Sequence, residues 1–502
     1  MVGNQGCAAG VGRSSGAVTM RKTGIAVRVL IIAATVLLFM HLLSRDYFVK
    51  TLQLHEQEVL ARSSAESFLG VYFRKEHIGF VRNYFSVLDN KAVSLEQEAS
   101  LQLNILGETH PVRMNGTAIL SRNYLLQSFT FQIKAPFYMS NIEGRVEGTD
   151  IQLSISTGKE TIHDVIHLKS PPFFSTNRRP YLLRENLQPG DKVKVPYFDP
   201  ISLAGQDTVV TYRGRQKTLI NGRVYNLHKF EELFSGVVVD TWLNDGGEVV
   251  KEESPAGFVF LAEPEFKARN IEKPVHEILS AVSVPIKGRI KNIDNLEKLR
   301  LRIDLPDPEL FDLNGERQVW DGSVVTITRE RIDSDAELCS GEEQHLSPTS
   351  YIQAQHAKIR AVVEQLGLEG LTGIAKVRKI ARWVFDNIEK RPVLGVPDAL
   401  SVLASKTGDC NEHAALFAAL ARNAGIPTKV AAGVIYHQGA FYYHAWNEIC
   451  AGGRWITVDT TKNQFPADVS HVKFIEGEIA EQIKIGALLG QLKISLIDQA
   501  GK

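Results

Sequence analysis

Alternation of apolar and polar residues dominates the first half of the chain. From about residue 64 to residue 265 the side chains alternate with a period of two, as in DIQLSISTG and GVVVDTWLNDGGEVVKEES, and turn-forming residues separate the runs. Such runs are predicted strands, because a period of two places successive side chains on opposite faces of a sheet. Asn244 to Gly247 predict a hairpin, since these residues tolerate positive φ. We therefore expect residues 64–270 to form a large antiparallel β domain.

The second half of the chain changes its pattern twice. After Pro274, the runs VPIKGRIKNI, KLRLRIDL and GSVVTITRERI predict a small β sandwich over residues 274–332. An acidic, serine-rich linker follows, and then QHAKIRAVVEQLG and GIAKVRKIARWVFDNIEKR carry apolar residues three and four positions apart. That spacing is typical of amphipathic helices. It predicts a third domain over residues 350–480, with a C-terminal extension over residues 481–502.

One apolar run near the N-terminus predicts a membrane anchor. GIAVRVLIIAATVLLFMHLL, from Gly24 to Leu43, is about long enough to cross a bilayer core. The excess of Arg and Lys on its N-terminal side predicts that residues 1–23 are a cytoplasmic tail and that everything after Ser44 is outside the cytoplasm. A cleaved signal peptide is the alternative, but no small-x-small cleavage pattern follows the run. We expect a single-pass transmembrane anchor over residues 24–43.

Charge and cysteine content narrow the function classes. The 502 residues contain 57 Lys plus Arg and 57 Asp plus Glu, so the summed charge gives no reason to expect a nucleic-acid partner. Four cysteines are too few for a disulfide scaffold. Cys339 with Cys450 is the plausible pair in an exported domain, and two unpaired small apolar residues are the alternative.

The stretch TGDCNEHAALFAALARNAGIP predicts a helix with a cysteine in its first turn. Asp409 can serve as the N-cap and Glu412 can reach back to it, while Gly425 begins the end of the helix. A cysteine at this position feels the positive end of the helix dipole, which favours the thiolate. On this stretch alone, Cys410 as a nucleophile and Cys410 as a packing residue remain equally open.

The segment AFYYHAWNEICAGGRWITVDTTKNQ predicts a hairpin that brings a histidine and an aspartate together. A turn at Ala451-Gly452 places His444 directly opposite Asp459, and a turn at Gly452-Gly453 makes the two residues diagonal neighbours on one face. A three-residue loop would separate them. Thiol, imidazole and carboxylate are the parts of a Cys-His-Asp site.

In such a site the cysteine attacks a carbonyl carbon, the histidine accepts its proton, and the aspartate orients the imidazole. The backbone N–H of the cysteine would donate to the oxyanion. The side chains that we consider as further oxyanion donors are Trp383, Asn411 and Tyr436.

The motifs GDCNEHAALFAALARNAGIPTKVAAGVIY, YYHAWNEI and GRWITVDTT resemble the bacterial transglutaminase-like superfamily, which shares the papain-like fold. The resemblance covers residues 353–474. It implies that Cys410, His444 and Asp459 are the catalytic residues and that no metal or cofactor is required. The expected fold class is α+β: a papain-like, transglutaminase-like C-terminal domain preceded by antiparallel β domains and one N-terminal transmembrane helix. Members of the superfamily include transamidases, peptidases, amidases and non-catalytic relatives.

Two alternatives accompany this interpretation. Cys410 and His413 could begin a zinc site with His437 or His444 as a further ligand, although no second closely spaced ligand pair follows. The domain could also be a non-catalytic scaffold in an envelope binding or assembly module. We expect instead an enzyme of the bacterial inner membrane that faces the periplasm and acts on a peptide, a protein or a peptidoglycan stem peptide. Trp446 and Trp455 are expected to pack around the catalytic strands.

Overall fold

The computed structural model describes residues 50–51, 64–89, 92–121, 125–157, 160–168, 182–234, 237–278 and 283–501. The predicted transmembrane segment, residues 24–43, lies outside the described residues. Within the described ranges, no helix combines the length and the apolar character needed to cross a bilayer.

A fifteen-stranded sheet occupies the first part of the chain. Its strands are β1 Lys50–Thr51, β2 Ser64–Phe73, β3 Glu76–Val87, β4 Val93–Ile105, β5 Glu108–Leu120, β6 Leu126–Ala135, β7 Tyr138–Glu147, β8 Asp150–Thr157, β9 Glu160–His167, β10 Lys192–Asp199, β11 Ala204–Ile220, β12 Arg223–Phe234, β13 Val237–Leu243, β14 Val249–Glu253 and β15 Phe258–Ala262. Strands β2 to β9 and β10 to β15 each form an antiparallel meander. The meanders join because β15 pairs with β2, with Phe260 opposite Val71. The predicted antiparallel pattern is confirmed.

The predicted hairpin at Asn244 joins β13 to β14. The Asn244 N–H donates to the Glu248 carbonyl oxygen at 3.0 Å, and Gly247 has a φ of 76°. Apolar side chains on one face of β4 to β8 pack with Tyr351 and Val396 from the C-terminal part of the chain. The large sheet and the helical region therefore share buried surface, which stabilises their contact.

A second sheet of nine strands contains the predicted catalytic hairpin. Its strands are β16 Val284–Lys287, β17 Leu296–Asp304, β18 Gln318–Trp320, β19 Val324–Thr328, β22 Thr428–His437, β23 Ala440–Ala451, β24 Arg454–Val458, β25 Val472–Glu476 and β26 Lys493–Gly501; the short parallel pair is β20 Glu389–Lys390 and β21 Thr407–Gly408. Strand β16 pairs with β23 on one side and with β26 on the other.

These pairings differ from the small separate sandwich that we expected over residues 274–332. The strands of that segment extend the sheet of the catalytic hairpin, and β26, from the predicted C-terminal extension, pairs with β17 along its length. Pairing between strands nearly two hundred residues apart leaves no local pattern in the sequence. Where one domain ends and the next begins stays a prediction.

The helices, apart from short 3₁₀ turns, are α1 Glu265–Ala268, α2 Ala357–Leu366, α3 Gly373–Asn387, α4 Ala399–Ser405, α5 Cys410–Asn423 and α6 Ile479–Gln482. Helices α2 to α5 form one core with β22, β23 and β24. Residues Ala414 to Ala421 of α5 are almost completely buried. The five alanines among them let α5 pack closely against its neighbours. This buried helix provides the fixed support for Cys410.

Candidate active site

Cys410 is the first residue of α5, and the predicted capping box holds that end of the helix. The Asp409 side chain accepts a hydrogen bond from the Asn411 N–H at 3.0 Å, and the Glu412 side chain accepts one from the Asp409 N–H at 2.9 Å. After Asn423, Gly425 adopts a φ of 75°. The predicted start and end of the helix are therefore confirmed.

Strand β23 is attached directly to the start of α5. The Asn447 side chain donates to the Ala414 carbonyl at 3.1 Å, and the Ala445 backbone N–H donates to the Cys410 sulfur. Ala445 is the neighbour of His444, so this contact places the imidazole-bearing part of β23 beside the thiol. Cys410 remains partly exposed to solvent.

The hairpin of β23 and β24 turns at Gly452 and Gly453. Cα pairing runs from Ala451 opposite Arg454 to Asn447 opposite Val458, and both glycines have positive φ, at 62° and 73°. A two-residue turn with two positive φ angles matches the twist of the strands. Of the registers that the sequence left open, the structure contains the one with a turn at Gly452-Gly453, in which His444 and Asp459 are diagonal neighbours.

His444 and Asp459 form a buried hydrogen-bonded pair. The Nε2 atom of His444 lies 2.8 Å from Oδ2 of Asp459, and Asp459 is 1% exposed. The other carboxylate oxygen, Oδ1, accepts hydrogen bonds from the N–H groups of Thr461 and Lys462 at 2.8 and 3.0 Å. Both carboxylate oxygens are thereby fixed, and the bond at Nε2 leaves Nδ1 of His444 as the ring atom available to a thiol.

A second histidine, which the sequence analysis missed, shares the same carboxylate oxygen. His471 is 2% exposed, and its Nε2 lies 3.0 Å from Oδ2 of Asp459. Its Nδ1 lies 3.3 Å from both Oδ1 and the backbone carbonyl of Asp468. Nothing in the spacing of ADVSHVKF marks this histidine; only the pairing of β25 beside β22 brings it to Asp459.

The charges of this network determine its protonation. Burial would raise the pKa of Asp459, but the charge and hydrogen bond of His444, together with those of His471, hold that pKa well below its usual range. Burial would likewise lower the pKa of His471, but its hydrogen bonds to Asp459 and Asp468 raise it. The network therefore contains an ionised Asp459 between two imidazoles.

The thiol is in a different electrostatic environment from the one we expected. Burial raises the pKa of Cys410 well above its usual range, the charge of Asp409 raises it further, and the hydrogen bond from Ala445 offsets only part of this. No hydrogen bond joins the sulfur of Cys410 to His444, both of which are described residues. In the resting site, burial and the charge of Asp409 therefore outweigh the effect that we expected of the helix dipole, and the thiol is favoured.

The two tryptophans expected to pack around the catalytic strands lie on β23 and β24, and Trp446 packs against both imidazoles. Trp446 is 1% exposed, and its ring lies 6.2 Å from that of His444 and 5.2 Å, edge-on, from that of His471. Trp455 packs with Lys429, whose Nζ lies 4.0 Å from the ring centroid. Both tryptophans thus pack in this region, and Trp446 limits how far either imidazole can move.

The three side chains considered as oxyanion donors lie in different surroundings. Trp383 packs on the core of α2 to α5 and lies under the Lys406 ammonium group, with 4.6 Å between Nζ and the ring centroid. Tyr436 packs edge-on against Phe441 in the core of the nine-stranded sheet, with 5.6 Å between the ring centroids. Asn411 follows Cys410 in the first turn of α5. The structure shows none of them bonded to Cys410.

The zinc grouping considered from the sequence does not form. His413 is buried and its Nδ1 lies 2.7 Å from the Asp409 carbonyl oxygen, while His437 is exposed. Among the described residues, His444, Asp459 and His471 are the group whose imidazole and carboxylate atoms converge, all within 4.8 Å. Both Nε2 atoms lie at hydrogen-bond distance from Oδ2, so the group is satisfied as an ion-pair network.

The predicted Cys339–Cys450 pair is a disulfide, with a Cα–Cα distance of 5.4 Å. It ties the linker before α2 to β23, six residues after His444. An isolated bridge between Leu338 and Ala451 continues the same contact. The linker thereby becomes an extra support for the catalytic hairpin.

A helix-borne thiol and a strand-borne histidine–aspartate pair define a candidate cysteine acyl-transfer site. The family model of the transglutaminase-like superfamily matches residues 360–460, a range that contains Cys410, His444 and Asp459. The chain therefore carries a transglutaminase-like domain, and the resemblance predicted from the motifs is confirmed. No curated protein matches the chain significantly.

Solved structures that are similar to parts of the chain share little sequence with it. A candidate cysteine protease from Cytophaga hutchinsonii is 17% identical, with 44% of this chain and 86% of that chain covered and a TM-score of 0.27. A β-barrel-like protein with a domain of unknown function from Brucella abortus is 11% identical, with 43% and 96% covered and a TM-score of 0.30. A candidate protease from Parabacteroides distasonis is 10% identical, with 66% and 68% covered and a TM-score of 0.19. The family assignment rests on the sequence match.

Proposed function

We propose that the transglutaminase-like domain is a cysteine acyl-transfer enzyme that acts on amide bonds through a thioester at Cys410. The observation that carries this proposal is the bond between Asp459 Oδ2 and His444 Nε2 at 2.8 Å. With Nε2–H donated to the carboxylate, Nδ1 carries the lone pair that can accept the thiol proton. The same bond stabilises the imidazolium that forms when the proton is transferred.

In the first half of the reaction, Nδ1 of His444 takes the proton of the Cys410 thiol as the sulfur attacks the carbonyl carbon of the amide. The carbonyl electron pair moves to oxygen, and the backbone N–H of Cys410 at the start of α5 donates to this oxyanion. When the intermediate collapses, the carbon–nitrogen bond breaks and His444 returns the proton to the leaving amine. The acyl group remains on Cys410 as a thioester.

In the second half, a nucleophile attacks the thioester carbon and gives its proton to His444. Water as the nucleophile releases a carboxylic acid, as in a peptidase or amidase, and an amine gives a new amide, as in a transglutaminase. Because burial raises the pKa of Cys410, the resting enzyme holds a thiol at neutral pH, and His444 acts as a general base at the moment of attack.

The proposed location is the outer side of a bacterial inner membrane, with the chain anchored through residues 24–43. The apolar run supports the anchor, and the Cys339–Cys450 disulfide supports an oxidising compartment. Peptides, proteins or peptidoglycan stem peptides of the envelope are then the substrate class. A reporter fused after Lys502 that is active only outside the cytoplasm would agree with this location, and cytoplasmic activity would contradict it.

The test of catalysis is labelling of Cys410 by a cysteine-directed electrophile in the full-length chain. Cys7→Ser supplies the background, since Cys339 and Cys450 are disulfide-bonded and Cys410 is then the remaining free thiol. We expect labelling that is fast at neutral pH and strongly reduced by His444→Ala.

One observation favours the alternative, a non-catalytic scaffold. Cys410 and His444 are not hydrogen-bonded to each other in the structure. In enzymes without substrate such bonds are often long and tighten only in the complex, so this distance alone does not decide. Labelling of Cys410 that is slow and unaffected by His444→Ala would establish the scaffold and reject the enzyme.

A further inference from the structure

Among the described residues, His444 and His471 are the two ionisable side chains that hydrogen-bond to the Asp459 carboxylate. Both rings direct Nε2 at the same carboxylate oxygen, at 2.8 Å for His444 and 3.0 Å for His471. The two imidazole centroids are 5.8 Å apart. A charge on either ring is therefore felt by the other through the oxygen that they share.

The far side of His471 is occupied by Asp468. Its Oδ1 and its backbone carbonyl oxygen both lie 3.3 Å from Nδ1 of His471. The Asp468 carboxylate is itself held, because Oδ1 accepts from the Ser470 N–H at 2.8 Å and Oδ2 accepts from the Gln464 amide at 2.8 Å. An imidazole with an acceptor at each nitrogen meets both as a donor only when it is protonated.

Most other charged groups near His471 form ion pairs among themselves. His471 borders a cavity of about 110 Å³ whose buried charged side chains are paired: Arg317 with Glu330 at 2.9 Å, and Lys473 with Glu448 at 2.8 Å and with Glu476 at 2.5 Å; Glu316, which also lines it, is exposed. None of the five paired groups bonds to His471. Its protonation is consequently determined by the two aspartates, and the raised pKa of His471 follows from their hydrogen bonds.

We propose that His471 is a positioning residue for the reaction: as an imidazolium it holds Asp459 and neutralises part of its charge, and so limits how basic His444 becomes. This inference rests on the proposed function. Without the charge of His471, the full negative charge of Asp459 would act on the His444 ring and favour its protonated form. The free base that accepts the thiol proton would then be present over a narrower range. His471 thereby sets the pH at which Cys410 becomes reactive.

The test is the pH profile of Cys410 alkylation by iodoacetamide in the full-length Cys7→Ser chain. His471→Gln keeps an N–H donor near Asp459 but removes the positive charge. Removing one neighbouring charge shifts a buried pKa by about one unit or more, so we expect the midpoint of the acid limb to rise by about one pH unit. The rate on the plateau should rise by up to about tenfold, because a more basic His444 is a better acceptor for the thiol proton.

Two further variants make the result decisive. Asp468→Asn leaves both imidazoles in place beside Asp459 but makes the protonated form of His471 less favourable. The midpoint should therefore move in the same direction by a smaller amount. It also serves if His471→Gln fails to fold by circular dichroism. His437→Gln, which removes an exposed imidazole from the same β22–β23 hairpin, should leave the profile unchanged.

The outcomes separate this inference from the proposed function. In one outcome, His471→Gln and Asp468→Asn both label more slowly at every pH and the midpoint does not move. His471 would then be only structural, which would overturn this inference and leave the proposed function standing. Wild-type labelling that does not depend on His444 would overturn both. A wild-type profile that moves when EDTA is added would show a cation among His444, Asp459 and His471 and would also overturn it.

Discussion

Asp459→Asn is the substitution for which the structure makes the sharpest prediction. The carboxylate accepts from four groups: the two imidazoles at Oδ2 and the Thr461 and Lys462 N–H groups at Oδ1. An asparagine can keep its oxygen toward the two backbone N–H groups, but its NH₂ group then faces both histidines. A donor in that position favours the His444 tautomer that carries hydrogen on Nδ1. That tautomer cannot accept the thiol proton.

The magnitude follows from the loss of a buried charge 2.8 Å from the ring. Removing an opposite charge at that distance lowers the pKa of an imidazole by about one to three units. Each unit lowers by up to about tenfold the ability of the imidazole to accept the thiol proton. In the Ser-His-Asp triad the corresponding change lowers turnover by about 10⁴-fold. We expect the alkylation rate of Cys410 near pH 7 to fall about 100- to 1,000-fold, with the remaining reactivity moved to alkaline pH.

The same substitution should destabilise the fold. Breaking a buried ion pair costs about 3–5 kcal/mol. Asp468 still pairs with His471 after the substitution, so we expect a loss near the lower end, about 3 kcal/mol. Because the pKa of Asp459 is lowered in the folded state, this stabilisation is present above the unfolded pKa of about 4 and is lost as pH falls. Urea unfolding at pH 7 and at about pH 2, below the unfolded pKa, measures the difference.

The assay compares iodoacetamide profiles of wild type, Asp459→Asn and Asp468→Asn in the full-length Cys7→Ser chain, with circular dichroism to confirm folding. Asp468→Asn is the matched control, because it removes a carboxylate from the same network without touching His444. A folded Asp459→Asn protein whose profile superimposes on that of wild type would refute the coupling between Asp459, His444 and Cys410.

Two further predictions concern the support of the site. Cys450→Ser should lower the free energy of unfolding by about 4 kcal/mol, since the disulfide closes a loop of 111 residues. The labelling rate of Cys410 in the folded protein should stay within about twofold of the wild-type rate. A loss of labelling as large as that caused by Cys410→Ser would reassign the nucleophile. Gly433 lies opposite His444 on β22, and the new Cβ of Gly433→Ala would meet the Val472 carbonyl and should push β25 away. We expect lower thermal stability and slower labelling of Cys410. A wild-type labelling profile would mean that β25 does not position His471.

The parts of the site that depend on local chemistry could be predicted from the sequence. The capping box at Asp409 and Glu412 follows from residues three apart, and the helix end follows from Gly425. The hairpin register could be reduced to two choices. Choosing between them required the backbone angles at Gly452 and Gly453. The sequence alone is compatible with either Ala451 or Gly452 as the first residue of the turn.

The parts that depend on long-range pairing could not be predicted. His471 directly precedes β25 and reaches Asp459 only because β25 pairs with β22. The same pairing brings Asp468, three residues earlier in the chain, to this network. The thiol pKa also depends on tertiary burial, which outweighs the local helix dipole that the sequence suggests. Strand β26 joins the catalytic sheet through β16 and β17, and the pattern of its own residues specifies no partner.

The central claim, that Cys410 is activated by His444 for acyl transfer, is tested most directly by labelling the full-length Cys7→Ser chain with a cysteine-directed electrophile. We predict modification of Cys410 at pH 7 that is much faster than that of a free cysteine of ordinary pKa. The rate should fall at least about 100-fold in His444→Ala, as expected for the loss of a general base. Slow modification at the same rate in the folded wild type and in His444→Ala would contradict the claim and identify the domain as a scaffold.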